Sequence, residues 1–155
     1  MNILGVDPGK SGGLAVINSK TLNIVRGIRM PTYQLRGKAV VSPHGVLAWA
    51  DSVDIEVAVI EQAHAMPLQG VSSAFSYGRV TGGIEAVVAI MVERMEWVTP
   101  SVWKKHFGLG SSKQESIDLA KLKFGSSYGW DKLADEGIAE AALIARWFID
   151  RYNLG

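Results

Sequence analysis

The apolar positions of the chain show two kinds of spacing, one typical of strands and one typical of helices. Short apolar runs separated by turn residues fill the first fifth of the sequence and predict an antiparallel meander. Later in the chain, apolar stripes with helical spacing predict helices separated by short apolar strands. The predicted elements are strands at 1–7, 12–18 and 19–31, a helix at 42–53, a strand at 55–62, a helix at 73–94, a strand at 96–100, and helices at 101–107, 108–125 and 132–153.

Three of these helices carry a recognisable start signal. Ser42 followed by Pro43 predicts an N-cap with proline at the first helical position. Ser101 is the expected cap of the short helix that follows it. Ser112 and Glu115 have the spacing of a capping box, so we expect the next helix to begin there.

Two stretches decide the predicted fold class. The basic, glycine-containing residues 36–43 are expected to form a loop. The stretch "IEVAVIEQ" (55–62) is β-branched and apolar up to Glu61, which indicates a central strand buried on both faces. A three-stranded meander followed by alternating helices and strands predicts an α/β fold with a mixed sheet. We expect one domain that spans residues 1–155.

Three glycines interrupt the long helix predicted at 73–94. Gly78, Gly82 and Gly83 each cost about 1 kcal/mol relative to alanine in a helix interior. Their spacing predicts either close packing against another element or a break in the helix. The small and apolar residues of this helix would suit a dimer face, and they would equally suit the core of the domain.

Composition excludes several classes of function. The 155 residues include no cysteine, which excludes disulfides and thiolate zinc sites. No apolar run approaches the roughly 20 residues that span a bilayer, and no signal peptide is recognisable, so we expect a cytoplasmic protein without membrane contact. The formal net charge of +1 gives no bulk argument for nucleic acid, so a basic surface would need local separation of charge.

Carboxylates that interrupt apolar elements are the candidate chemistry. Asp7 and Glu61 end predicted strands, whereas Glu136 and Glu140 share one face of the last helix because they are four residues apart. Asp135, one step before Glu136, could replace it. Each acid alone could serve as a turn cap, a partner of arginine or a complement to the helix dipole. A buried cluster of acids, however, requires cations, and oxygen ligands select Mg²⁺ or Mn²⁺, two of which can hydrolyse a phosphodiester.

Three motifs resemble the RuvC-type Holliday junction resolvases of the ribonuclease H-like superfamily, and the shorter phage-type members most. They are "ILGVDPG" (3–9), "VIEQ" (59–62) and "DEGIAEAALIARW" (135–147), with "FSYGRVTGGIEAVV" (75–88) and "TPSVWKKHFG" (99–108) matching between them. The resemblance implies a ribonuclease H-like fold, with a mixed five-stranded sheet flanked by helices. It further implies a homodimeric endonuclease, dependent on Mg²⁺ or Mn²⁺, that nicks two strands of a four-way DNA junction.

The resemblance also assigns roles to single positions. It implies that the metal-binding catalytic acids are Asp7, Glu61, Glu136 and Glu140, with Asp135 competing for the place of Glu136. The family often has aspartates in the last helix, so the two glutamates are a departure. Lys104 matches a catalytic lysine near the scissile phosphate, a role that Lys105 could take instead. His64 occupies a position where some relatives carry an aromatic residue that stacks at the junction crossover. Met66 and Leu68 are alternative wedges, and His64 could equally be an ordinary loop residue.

Basic residues are clustered in two stretches despite the near-neutral total. The first contains Arg26, Arg29, Arg36 and Lys38, and the second contains Lys104, Lys105, His106 and Lys113. Both suit contacts with the DNA backbone, which supply affinity without sequence information. The same residues could equally be solvated loop charges.

Two other functions compete with the resolvase interpretation. The stretch "GVDPGKSGG" also resembles the first phosphate loop of actin-like ATPases, but 155 residues leave no room for their second lobe, so we expect no nucleotide cofactor. A non-catalytic module that binds branched DNA is the other alternative. Its weakness is that carboxylates repel phosphate unless metal ions intervene.

Overall fold

The strands and helices follow the predicted order, with one hairpin added. The computed structural model describes residues 1–62, 70–128, 130 and 132–155. Its elements are β1 (Asn2–Asp7), β2 (Gly13–Asn18), β3 (Ile24–Arg29), β4 (Thr32–Leu35), β5 (Lys38–Val41), α1 (Pro43–Ala50), β6 (Val57–Glu61), α2 (Val71–Met91), β7 (Arg94–Val98), α3 (Pro100–Phe107), α4 (Lys113–Phe124) and α5 (Glu136–Tyr152), with 3-10 turns at Ser126–Tyr128 and Leu133–Asp135.

Five strands form one mixed sheet in the order β3-β2-β1-β6-β7. The first three strands are antiparallel, whereas β6 pairs in parallel with both β1 and β7. The prediction of a mixed five-stranded sheet flanked by helices is therefore confirmed. Because β1 and β6 run in parallel, with Val6 opposite Ile60, their carboxyl ends lie side by side at one edge of the sheet.

The central strands β1, β2 and β6 are buried on both faces of the sheet, and their side chains alternate between two core layers. Ile3 and Val59 lie in the core layer beneath α5, whereas Leu4 and Ile60 lie in the layer that α1 and α2 cover. The prediction that β6 is buried on both faces is confirmed. The alternation also places Asp7 on the α5 side of β1, because it shares its parity with Ile3.

Helix α5 lies directly on β1, and Gly5 makes this contact possible. A Cβ atom at position 5 would stand 1.8 Å from the carbonyl oxygen of Ala141 and 2.9 Å from the backbone nitrogen of Ala145. Only glycine allows two backbones to approach so closely. The approach fixes the height of α5 over the strand, and with it the position of the acids on the first turns of the helix.

Replacing Gly5 with alanine should therefore destabilise the fold by about 3 kcal/mol, at the upper end of the usual cost of overpacking. The matched control is Gly83→Ala, since no atom of the described residues outside the backbone of its own helix lies within 4 Å of a Cβ built at Gly83. That change should instead stabilise the helix by up to about 1 kcal/mol. Urea unfolding of both variants measures the difference, and an unaltered midpoint for Gly5→Ala would contradict the close contact.

The prediction of a loop at 36–43 is wrong, because β4 and β5 form a separate two-stranded hairpin. Arg36 and Gly37 make the turn with positive φ angles of 50° and 74°. Two-residue hairpin turns favour such angles, for which glycine is suited. The sequence pattern did not predict these strands. Residues 32–38 are all exposed, so they show no alternation of buried and exposed positions.

The helix caps agree with prediction only in part. Ser42 caps α1 by accepting a hydrogen bond from the Gly45 backbone nitrogen at 3.0 Å, which confirms the first signal. Ser101 is not the cap of α3, which begins after Thr99 because proline at position 100 takes the first helical place. Ser112 forms no capping box; Glu115 accepts instead from the Gly110 backbone nitrogen at 2.7 Å.

The glycines of α2 do not break the helix, which runs without interruption. Among the described residues outside the helix's own backbone, nothing lies within 4 Å of a Cβ built at Gly78, Gly82 or Gly83, so these residues do not pack against another described element. Among the described residues, no helix combines the length and the apolar character needed to cross a membrane.

Candidate active site

Two predicted acids meet at the carboxyl edge of the sheet. Asp7 is the last residue of β1 and Glu61 the last residue of the neighbouring parallel strand β6. Both share the parity of strand residues that face α5, such as Ile3 and Val59. The strands thus deliver two carboxylates to one place, beneath the beginning of α5.

The start of α5 brings two more acids to this edge. Gly12 forms an isolated bridge with Gly137, and a Cβ at position 137 would lie 2.3 Å from the Gly12 carbonyl carbon. This backbone contact anchors the first turn of α5 beside the end of β1. Glu136 and Glu140 follow each other by one helical turn on that end of the helix, and Glu140 is buried.

Asp7 interacts electrostatically with the other three carboxylates. Burial raises the pKa of Asp7 well above its usual value, and the negative charges of Glu140, Glu61 and Glu136 raise it further. The nearby Lys104 opposes this effect. Burial and three neighbouring carboxylates make it costly to ionise a carboxyl group. A cation bound nearby would balance the charge and remove this cost.

Two lysines supply positive charge to the cluster. Lys104 of α3 places its Nζ 2.8 Å from Oε1 of Glu140, and Lys113 of α4 places its Nζ 2.5 Å from Oε2 of Glu136. Burial works against the charge of Lys104, but the hydrogen bond to Glu140 and the surrounding carboxylates raise its pKa overall. The bond to Glu136 raises the pKa of Lys113. The Ser116 hydroxyl donates a third contact, at 2.9 Å to Glu140.

The chemistry of the donor set fits a hard divalent cation. All four acids are oxygen donors gathered at one edge, which is the ligand type that Mg²⁺ and Mn²⁺ prefer. Within the part of the chain that the structure describes, however, no three Asp, Glu or His side chains stand close enough to share an ion. Lys113 holds only Oε2 of Glu136, and Lys104 holds only Oε1 of Glu140, so an ion that uses these two carboxylates either binds their other oxygens or displaces the lysines.

Asp135 and Glu136 point to different partners. Arg29 of β3 donates from Nε and Nη2 to Oδ1 of Asp135, at 2.9 and 2.6 Å. The other Asp135 oxygen accepts from the Lys132 backbone nitrogen at 3.2 Å. Asp135 is thus occupied in holding the turn before α5 to the sheet, whereas Glu136 contributes to the field at Asp7.

The predicted DNA contacts are distributed over different parts of the surface. Lys104 and Lys105 line a groove of about 550 Å³ together with the loop at 108–111. Arg36 and Lys38 lie at the exposed tip of the β4–β5 hairpin, which packs through Val41 into the core layer opposite α5. His64 lies outside the described residues.

Three residues near the carboxylates were not among the predicted ones. The Trp103 indole nitrogen donates to Oε2 of Glu61 at 2.7 Å, and Ser116 donates to Glu140 as described. Tyr77 of α2 is half-buried, and burial raises the pKa of its hydroxyl, with smaller contributions from Glu61 and Asp7. In the sequence, Trp103 stands next to the candidate catalytic Lys104, and this position is a signal that it lies near the site. No local sequence signal marks Ser116 or Tyr77.

Comparison with solved structures identifies the fold as ribonuclease H-like. The chain is similar over its whole length to RuvC of Thermus thermophilus in complex with a Holliday junction substrate, with a TM-score of 0.70 and 15% identity, covering 100% of this chain and 97% of that one. A second Thermus thermophilus RuvC structure matches with a TM-score of 0.67 and 16% identity, covering 99% and 98% of the two chains. The sequence itself matches no protein-family model and no curated protein.

These similarities confirm the predicted resemblance to RuvC at the level of the fold. The chain has the RuvC version of the ribonuclease H-like architecture, with a mixed five-stranded sheet and helices on both of its faces. At this identity a shared fold does not by itself carry activity, which has to be argued from the site. The two structures described above are of Thermus thermophilus RuvC, and the resemblance to the phage-type members stays a prediction.

Proposed function

We propose that this protein is a metal-dependent endonuclease that resolves four-way and related branched DNA junctions by paired nicking. The observation that carries the proposal is the set of four carboxylates formed by Asp7 and the three glutamates that raise its pKa, which come from β1, β6 and α5 in a RuvC fold. A protein without need of cations gains nothing from such a cluster, since burying like charges is unfavourable. One of the matched structures is a RuvC complex with a Holliday junction, which supports the same substrate class here.

Asp7, Glu61, Glu136 and Glu140 would hold Mg²⁺ or Mn²⁺, with two ions per site. When bound, such ions supply an activated water and stabilise the leaving oxygen in phosphodiester hydrolysis. Asp135 has a different role in this proposal, because its ion pair with Arg29 positions the start of α5.

The lysines act on the DNA. Lys104 rests on Glu140 at the rim of the groove, from which it would stabilise charge that develops on the scissile phosphate. Lys105 and Lys113, and further away Arg36 and Lys38, would contact the backbone of the junction arms. His64 would stack on a base at the crossover. An enzyme of this kind would work in the cytoplasm, in the host's cytoplasm if the chain is encoded by a phage.

A homodimer is part of the proposal, because one site cuts one strand and a two-fold dimer would present two sites to a symmetric junction. Helix α2 offers a face for it: Phe75 and Ile90 are 67% and 78% exposed, and the open glycines lie between them. Ile90→Glu should therefore shift the protein from dimer to monomer in analytical ultracentrifugation. Leu122→Glu is the matched control, at an 82% exposed leucine of α4, and should leave the dimer intact. Dimers of equal stability in both variants would contradict the use of this face.

One observation favours the alternative, a binding module without nuclease activity. Lysines already neutralise Glu136 and Glu140, so the cluster is balanced in part without an ion. Synthetic four-way junctions distinguish the two functions. A nuclease should bind the junction in Ca²⁺ and cut it in Mg²⁺, with linear duplex of the same sequence left whole. A binding module would shift the junction in a gel and leave it uncut with either ion.

A further inference from the structure

We propose that Trp103 is a positioning residue for the candidate active site, orienting Glu61 and Lys104 at the same time. The inference rests on the proposed function, because it assigns Trp103 a role in holding the groups that would bind the metal and the phosphate. It concerns a residue that touches neither the substrate nor an ion in this proposal and acts through its neighbours.

The first contact of Trp103 is with Glu61. The indole Nε1 donates to Oε2 of Glu61 at 2.7 Å, a short hydrogen bond for a nitrogen donor. An indole nitrogen only donates, so this contact has one direction. The bond fixes the direction in which the Glu61 carboxylate faces the other acids.

The second contact is with the lysine that follows in the sequence. The Nζ of Lys104 lies 5.1 Å from the centre of the Trp103 ring, within the range of a cation–π interaction. The same Nζ is 2.8 Å from Glu140. The edge of the indole therefore contacts Glu61 of β6, and its face contacts Lys104, which in turn reaches Glu140 of α5.

The third observation is that Trp103 is itself packed in the core. Its side chain is 0% exposed and belongs to the core layer beneath α5. Helix α3 follows directly from β7, whose Val98 is paired with Glu61 across the sheet. A donor held by core packing imposes one orientation on its acceptor, whereas an exposed donor would move with it. Hydrogen bonds to metal-ligating carboxylates commonly change metal affinity by 10- to 100-fold, so about 10-fold is expected here.

The test compares Trp103→Phe with Trp130→Phe. Both tryptophans are almost fully buried, and both donate one hydrogen bond, Trp130 to the Gly125 carbonyl oxygen at 3.0 Å. The two variants thus lose the same kind of bond, but only one of these bonds ends on a candidate metal ligand. Titration calorimetry with Mn²⁺ alone should show an affinity about 10-fold weaker for Trp103→Phe and unaltered for Trp130→Phe.

Equal Mn²⁺ affinity in wild type and Trp103→Phe, or an equal loss in both variants, would overturn the positioning role and leave the proposed function standing. Absence of Mn²⁺ binding by the wild type would instead overturn the proposed function and this inference with it. The indole N–H resonance of Trp103 gives a second readout that needs no Trp103 variant. It should shift on Glu61→Gln and on addition of Mg²⁺ to the wild type, and a resonance that stays in place in both experiments contradicts the inference.

Discussion

Asp7→Asn should abolish metal-dependent cutting of four-way junctions, with a rate loss of about a thousandfold or more, while junction binding in Ca²⁺ stays within a few-fold of wild type. Asparagine keeps the size of aspartate and removes the charge at the centre of the four acids. Losses of this size are typical when a group that stabilises charge in the transition state is removed. Single-turnover cutting and gel-shift titration on the same junction measure the two quantities.

The same variant should make the metal-free protein more stable. Burial and the neighbouring carboxylates raise the pKa of Asp7, so ionising it in the folded state is unfavourable. Below the usual aspartate pKa of about 4, the folded and unfolded chains both hold the proton, so Asp7 does not lower the stability of the wild type there. As the pH rises, the unfolded chain ionises first, and the stability of the wild type falls until the pH exceeds the raised pKa.

Urea unfolding in EDTA should therefore show Asp7→Asn more stable than wild type by about 1 kcal/mol or more near neutral pH, with the difference shrinking as the pH falls. Adding Mg²⁺ should stabilise the wild type and leave the variant unaltered. Asp135→Asn is the matched control. Because Asp135 is paired with Arg29, its replacement should destabilise the protein, and a variant that behaves like Asp7→Asn would contradict the assignment of Glu136 over Asp135.

Lys104→Ala should lower the rate of junction cutting by about a hundredfold and junction affinity by less than about threefold. The lysine lies on Glu140 at the groove, so its removal takes charge from the place where the phosphate reacts. Lys105 lines the same groove and is exposed, which makes Lys105→Ala the matched control. That variant should lose affinity, reduce the salt dependence of binding by about one phosphate contact, and cut at close to the wild-type rate once bound.

Equal losses of cutting and binding in Lys104→Ala would show that this lysine only anchors the backbone. A cutting defect confined to Lys105→Ala would transfer the role to its neighbour, the alternative that the sequence left open. Both outcomes are read from the same pair of assays, with saturating protein to separate the rate of cutting from affinity.

The sequence predicted those parts of the molecule whose signal is local. Asp7 and Glu61 could be placed because each ends an apolar run, and Glu136 and Glu140 because helical spacing puts them on one face. Parallel strands then bring the first two acids together without any further information. The hairpin at 32–41 was missed because residues 32–38 are all exposed, so β4 and the turn show no alternation of buried and exposed positions.

Contacts between distant residues could not be predicted from a single sequence. The bond between Trp103 and Glu61 joins positions 42 residues apart, and the one between Arg29 and Asp135 joins positions 106 residues apart. Both depend on how α3 and α5 pack on the sheet. The choice between Asp135 and Glu136 depends on such a contact, since their neighbouring positions give them nearly the same local signal. The three glycines of α2 were ambiguous for the same reason, and only the packing of the described residues shows that a side chain there would meet no neighbouring element.

The most direct measurement is on a supercoiled plasmid that extrudes a mobile cruciform, so that the branch point samples many sequences. Paired nicks across the junction convert this plasmid to a linear product, whereas single nicks give a relaxed circle. The wild-type protein should yield linear product in Mg²⁺ and none in EDTA, with Asp7→Asn inactive in both. Plasmid that stays supercoiled in Mg²⁺ would contradict a nuclease, and relaxed circles without linear product would contradict paired nicking.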